Sequence, residues 1–214
     1  MLAVGRLHKQ KGFDILIKAF SVFFKNNKNY DLIILGAGDE RSNLEKNIKE
    51  LKLENNIFLP GYLNPYPYYK SCSLYISSSR YEGVSNATLE AMQYKVPIII
   101  TDTQIGMFDY LKDDHSALFA LSTPESLAEK IKIIINSKEI KKKISSNAFE
   151  SINKIDNKKI EEMWVKEIYW FFGDKRTVLA PPVLVKIFIV SSFPRFLNIP
   201  RCSPSLLIFI KHSL

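Results

Sequence analysis

The chain has 214 residues, 46% of them hydrophobic, which is enough for one domain of ordinary size, alone or with a tail, and for a core that is not marginal. A formal charge of +8 suggests a polyanionic partner, but residues 174–214 carry six Lys or Arg against one Asp, so most of the excess lies in that segment and nucleic acid is disfavoured. Cys72 and Cys202 have no metal-ligand spacing and the three histidines are scattered, which points to a reduced, cytoplasmic chain without a metal site.

Leu2-Ala3-Val4 reads as a strand stub with no apolar stretch long enough for a signal peptide. It runs into the loop Gly5–Gly12, then a helix with Phe13, Leu16, Ile17, Phe20, Phe23 and Phe24 at core-facing spacing. Asp31–Leu35 is a continuous apolar strand that ends in Gly36-Ala37-Gly38-Asp39-Glu40, before a helix carrying Leu44, Ile48 and Leu51. Asn56–Leu59 is the next strand and Pro60-Gly61 turns the chain; Pro65 and Pro67 open a short helix around Tyr68 and Tyr69. Leu74-Tyr75-Ile76 enters Ser77-Ser78-Ser79 as a buried strand breaking into a loop, and Pro97–Thr101 and Ala117–Phe119 are further strands. Helices are expected over Pro124–Asn136, Lys138–Ser151 and Lys158–Phe172. Val183–Val190 is apolar but contains Lys186, and the prolines at 181, 182 and 194 bound it well short of a membrane span.

Strands that do not alternate, each followed by a helical pattern, imply an α/β fold with a doubly wound, Rossmann-like parallel sheet covered on both faces. Ligands of such sheets bind beyond the carboxyl ends of the strands. The loops at 5–12, 36–40, 61–62, 77–86 and 102–106 are therefore expected to open on one edge.

Within that edge the stretch Tyr81–Met92 joins a strand end to a helix start and carries two carboxylates, Glu82 and Glu90, eight positions apart. Ser85 or Asn86 serves as the N-cap, and the loop from Gly83 points unpaired backbone N–H groups and the positive end of the helix dipole above the strand ends. Such a place favours phosphate or sugar oxygens, and an ionised Glu has two oxygens with which to hold neighbouring hydroxyls. The plainer reading makes Glu82 a solvated loop residue and Glu90 a favourable first-turn charge. Arg6 and Lys11 flank a glycine-bounded turn where a planar fork and a point charge suit a diphosphate, or are ordinary exposed bases. Gly36-Ala37-Gly38 lacks the third glycine of a dinucleotide fingerprint, as Arg41 stands there.

Gly5-Arg6-Leu7, Lys11-Gly12-Phe13-Asp14, Leu35-Gly36-Ala37-Gly38, Phe58-Leu59-Pro60-Gly61-Tyr62 and Glu82-Gly83-Val84-Ser85-Asn86 to Leu89-Glu90-Ala91-Met92 together resemble the C-terminal, donor-binding domain of retaining GT-B glycosyltransferases of family 4, over about residues 1–172. The resemblance implies transfer of a hexose from a UDP-, GDP- or ADP-sugar to a saccharide or lipid-linked acceptor, with no cofactor and no metal. Arg6 and Lys11 would bind the diphosphate and stabilise the leaving group, and Glu90 would hold the ribose hydroxyls. Glu82, with the amides of Gly83, Val84, Ser85 and Asn86, would face the transferred sugar. Ile57 and Phe58 would border the nucleobase, and Gly36, like Gly5, belongs to the turns at the nucleotide.

Two departures stand out. Where the family usually has a glycine before the proline of the next strand, this chain reads Tyr94-Lys95-Val96-Pro97, and where it has aromatic-Pro-Asn the chain has Val84-Ser85-Asn86. The acceptor domain of the family has no counterpart, so residues 1–173 read as half an enzyme that an N-terminal partner half would complete, cytoplasmic or peripheral at the inner membrane face. The final helix, Ile160–Phe172, would then expose Trp164, Tyr169 and Trp170. Beyond Gly173 the Pro-interrupted, basic tail 174–214 is a membrane-surface or partner-binding element, a disordered end, or sequence foreign to the native enzyme. The alternative to a transferase is an interaction module that uses this helix and tail.

Overall fold

The computed structural model describes residues 1–154; the helix expected over Lys158–Phe172, its aromatic residues and the tail 174–214 lie outside the described residues. Six strands, β1 (Leu2–Val4), β2 (Leu32–Leu35), β3 (Ile57–Gly61), β4 (Tyr75–Ser77), β5 (Ile98–Thr101) and β6 (Leu118–Ala120), form one sheet in the order β3-β2-β1-β4-β5-β6. All five pairings are parallel, as the unalternating β-branched runs require. The helices are α1 (Phe13–Phe24), α2 (Arg41–Glu50), α3 (Tyr66–Ser71), α4 (Asn86–Gln93), α5 (Pro124–Asn136) and α6 (Lys138–Asn153). This is the doubly wound, Rossmann-like fold that the sequence implies.

Strand side chains divide by parity between the two faces. Ala3, Leu32, Ile34, Ile76 and Ile99 join the phenylalanines of α1, Leu44 and Ile48 of α2, and Leu127, Ile131 and Ile134 of α5 in one continuous core. Tyr75, Ile98 and Ile100 are equally buried but lie outside that cluster, as do Leu89 and Met92 of α4. Helices α4, α5 and α6 start on side-chain caps: the Ser85, Thr123 and Ser137 hydroxyls accept from the backbone amides of Thr88, Ser126 and Ile140.

The strand at 57–61 departs from expectation. Its apolar sequence reads as fully buried, yet Ile57 is buried, Phe58 exposed, Leu59 half-buried and Pro60 exposed. Among the described residues it pairs with β2 alone, so it is an edge strand of the described sheet, and Pro60, with no N–H to donate, is tolerated there.

The turn after α4 is also resolved. Lys95 takes the left-handed conformation at φ 53°, while its N–H and that of Val96 donate to Met92 O and Ala91 O. This is a Schellman closure with lysine where glycine is the usual occupant. The Lys95 ammonium lies 4.3 Å from the centre of the Phe149 ring on α6.

Candidate functional site

In the order β3-β2-β1-β4-β5-β6 the direction of winding reverses between β1 and β4. The loops that leave these two strands, 5–12 and 77–86, lie at that switch point, the place where such sheets carry their ligand crevice, and the loops after β2, β3 and β5 share the same edge. Backbone bonds join the neighbours: Gly36 N–H to Gly61 O, Gly5 N–H to Leu35 O and Leu7 N–H to Ala37 O, each at 2.9 Å. Gly36, at φ 151°, lies so close to the Gly5 carbonyl that a Cβ would fall 1.8 Å from its oxygen. Within the chain, then, the missing side chain of Gly36 admits the turn that bears Arg6.

Loops 5–12 and 77–86 are stitched to each other. Residues Lys9–Lys11 form a 3-10 turn closed by Gly12 at φ 63°, where a Cβ would meet the Ser78 carbonyl. The Lys11 stem passes over Gly5, and its Nζ lies 2.5 Å from Glu82 Oε2, with both side chains largely buried. Ser79 Oγ donates to the same carboxylate oxygen at 2.8 Å. Between them, Arg80 makes a two-pronged pair with Asp14 at 2.8 and 2.7 Å, and also donates to the Lys9 carbonyl at 2.7 Å. Burial pushes the Asp14 carboxyl up, but the Arg80 hydrogen bonds and charge prevail and hold it below its ordinary value.

Below this loop is a buried polar network that joins β4 to the segment after β5. Gln104, with no exposed surface, donates to Ser77 O at 2.7 Å and Thr101 Oγ1 at 2.9 Å, and accepts from Ser77 Oγ at 2.9 Å. The hydroxyls of Thr101 and Thr103 both donate to the Ser79 carbonyl, at 2.5 and 2.8 Å.

At the start of α4, Ser85 is the N-cap: its hydroxyl accepts from Thr88 N–H, while its own N–H donates to Met107 Sδ at 3.3 Å. Gly106 lies against the Gly83 backbone, so the 3-10 turn Ile105–Met107 supports the loop from behind. Glu90 sits one turn into α4, half-buried, beside the Tyr69 hydroxyl, which donates to Ala87 O at 3.0 Å. Burial first, then Tyr75 and Glu90, raise the Tyr69 phenol far above its usual value, so it stays protonated.

The crevice thus gathers Gly5, Lys11, Glu82 and Ser85, with Arg6 exposed on the adjoining turn and without a side-chain hydrogen bond or ion pair among the described residues. Gly83, Val84 and Asn86 are exposed. Phe58 is exposed at the outer strand, whereas the Ile57 side chain lies in the core, leaving only its backbone to border a ligand. Ser79, Arg80, Asp14 and Gln104 were not singled out by the sequence reading. Arg80, the one cation in a serine-rich loop next to Glu82, was the only available signal.

The family model described as Glycosyl transferases group 1 matches residues 1–151. The chain belongs to this family. An N-acetylgalactosamine-N,N'-diacetylbacillosaminyl-diphospho-undecaprenol 4-alpha-N-acetylgalactosaminyltransferase of Campylobacter jejuni is 30% identical over 162 residues, covering 75% of this chain and 44% of that protein. Among solved structures, Staphylococcus aureus TarM, in a complex with UDP, superposes with a TM-score of 0.73 at 28% identity, over 77% of this chain and 34% of that one. The C-terminal domain of a glycosyl transferase group 1 protein from Francisella tularensis shares the fold, with a TM-score of 0.65 at 23% identity, over 72% of this chain and 84% of that one. This group 1 domain is of the GT-B type, and the chain spans less than half the length of the curated relatives it matches.

Proposed function

We propose that this group 1 domain binds a nucleotide-diphosphate sugar in the crevice between loops 5–12 and 77–86 and transfers the glycosyl group, with retention and without a metal, to a saccharide or lipid-linked acceptor. The observation that carries the reading is the convergence, at the switch point of a group 1 sheet, of two cations and a pinned carboxylate: Arg6 beside the crevice, Lys11 within it, and Glu82 held by Lys11 and Ser79. The diphosphate leaves with the electron pair of the glycosidic bond, so negative charge grows on it as the bond breaks. Fixed cations aimed at that charge stabilise the transition state, and Arg6 and Lys11 take this part. Glu90 holds the ribose hydroxyls, and Glu82 with the amides of residues 83–86 faces the sugar. Phe58 and the backbone of Ile57 border the base, and the glycines at 5 and 36 admit the nucleotide.

UDP is the favoured nucleotide because TarM, at 28% identity, is described with UDP bound. The undecaprenol-linked substrate in the name of the Campylobacter relative supports a lipid-linked acceptor and hence action at the cytoplasmic membrane face. The acceptor side of the site is supplied by an N-terminal half, in the same polypeptide or another. Among the described residues no helix is long and apolar enough to cross a membrane.

Calorimetric titration with UDP, GDP, ADP and the matching sugar nucleotides, alongside an Arg6→Ala/Lys11→Ala variant, tests the donor site. Saturable binding of UDP that the variant loses is expected. A folded chain that binds none of the nucleotides, or a double variant that binds as tightly as the parent, overturns the reading.

A further inference from the structure

We propose that Ser79 is a positioning residue that sets the orientation of the Glu82 carboxylate toward the sugar part of the donor. This rests on the role given to Glu82 above. Glu82 is carried by the loop between β4 and α4 and is followed by Gly83, whose backbone packs on Gly106, so the loop backbone is held while the direction of the carboxylate is left to its side-chain partners. Two donors meet Oε2: Lys11 Nζ at 2.5 Å and Ser79 Oγ at 2.8 Å. A lysine ammonium on a four-carbon stem fixes charge but little direction. The serine hydroxyl is one bond from its Cβ, and its residue is 1% exposed.

The division of labour within Ser79 separates this role from a structural one. Its carbonyl carries the bonds that build the loop, accepting from Thr101 Oγ1 and Thr103 Oγ1, and Gln104 in turn braces Thr101 against Ser77. Its hydroxyl takes no part in that network and is spent on Glu82 alone. A satisfied buried network is stiff, so the position of Cβ, and with it the reach of Oγ, is set from β5. With both donors on Oε2, the other oxygen of Glu82 is left to accept from a sugar hydroxyl.

The test uses the full chain as Ser79→Ala, Ser79→Cys and Glu82→Ala, titrated with UDP and with UDP-glucose, UDP-N-acetylglucosamine and UDP-N-acetylgalactosamine. The readout is the affinity for the best sugar nucleotide relative to UDP. Both Ser79 variants should bind UDP within about twofold of the parent and lose about 3- to 10-fold in that ratio, the size of one net hydrogen bond. Cysteine fills the same space but is a weak donor, so it should behave like alanine. A cysteine variant that keeps the parental ratio assigns the hydroxyl to packing and overturns the proposal, as does Ser79→Ala with an unchanged ratio while Glu82→Ala loses it. A Ser79→Ala chain that fails to fold assigns the hydroxyl to the fold, with the same result. An unchanged ratio in Glu82→Ala overturns the role of Glu82 and this inference together.

Discussion

Alanine in place of glycine should have opposite consequences at two positions of the crevice. At Gly36 the backbone has φ 151°, a region that L side chains rarely adopt, and the added Cβ would stand 1.8 Å from Gly5 O and 2.9 Å from its carbon. Backbone strain of this kind costs about 1–3 kcal/mol, and displacing a packed neighbour about as much again. Gly36→Ala should therefore lose roughly 2–6 kcal/mol, which lowers the melting temperature by roughly 5–20 °C in a domain of this size. At Gly83 no heavy atom outside its chain neighbours lies within 4 Å of the new Cβ and φ is not positive, so Gly83→Ala should stay within about 0.5 kcal/mol of the parent. Urea unfolding of the two variants, followed by circular dichroism, makes the comparison. Equal losses at both positions, or a Gly36→Ala chain as stable as the parent, would refute the packing of the 36–40 loop on the turn that bears Arg6. Because that turn must shift, Gly36→Ala should also weaken UDP binding.

Arg6→Ala and Lys11→Ala should each weaken UDP binding by about 10- to 150-fold, the worth of one charge-assisted contact of about 1.5–3 kcal/mol, as calorimetry would read. Glu90→Ala should weaken UDP and UDP-sugars alike, while Glu82→Ala mainly alters the response to the sugar; equal losses with free UDP would contradict that division. The Asp14 carboxyl is held below its ordinary value, so the stability it contributes is present above the unfolded-state pKa and is lost as pH falls through the folded one. Melting curves should accordingly show the parent losing stability between about pH 5 and 3 more steeply than Asp14→Asn, by less than about 1 kcal/mol because the pair with Arg80 is only partly shielded. Burial pushes the Cys72 thiol up to about 11, so in a Cys202→Ser chain it should react with a disulfide reagent at pH 8 far more slowly than a free thiol does.

The parallel sheet was legible because Ile98-Ile99-Ile100 and Leu32-Ile33-Ile34-Leu35 have no polar face, and only burial on both sides accounts for such runs. Once the strands are parallel, the loops that follow them must share an edge, so the loops that bear Arg6, Lys11 and Glu82 came together by topology alone. What stayed hidden depends on partners remote in sequence. Gln104 and Ser77 meet across 27 positions, and an isolated amide and a serine carry no periodicity to announce it. Arg80 reads as one more loop cation until α1 brings Asp14 beneath it. Phe58 and Ile57 looked alike as apolar strand residues; which of them faces outward follows from the position of β3 in the sheet, which local sequence does not encode. Lys95 announced an altered turn, but not that a lysine would adopt the left-handed conformation unaided.

The proline in β3 also bears on how the domain meets other copies of itself. An open parallel sheet ends in rows of vacant donors and acceptors, and those rows can recruit a strand from another chain. Within β3, Pro60 offers no proton to a ladder, and the register against β2 shifts beside it, both of which break the regularity that a further strand would need. The exposed Phe58, two positions earlier, would otherwise make that border adhesive. The proline and the irregularity beside it thus make this border of the described sheet a poor template for a further strand.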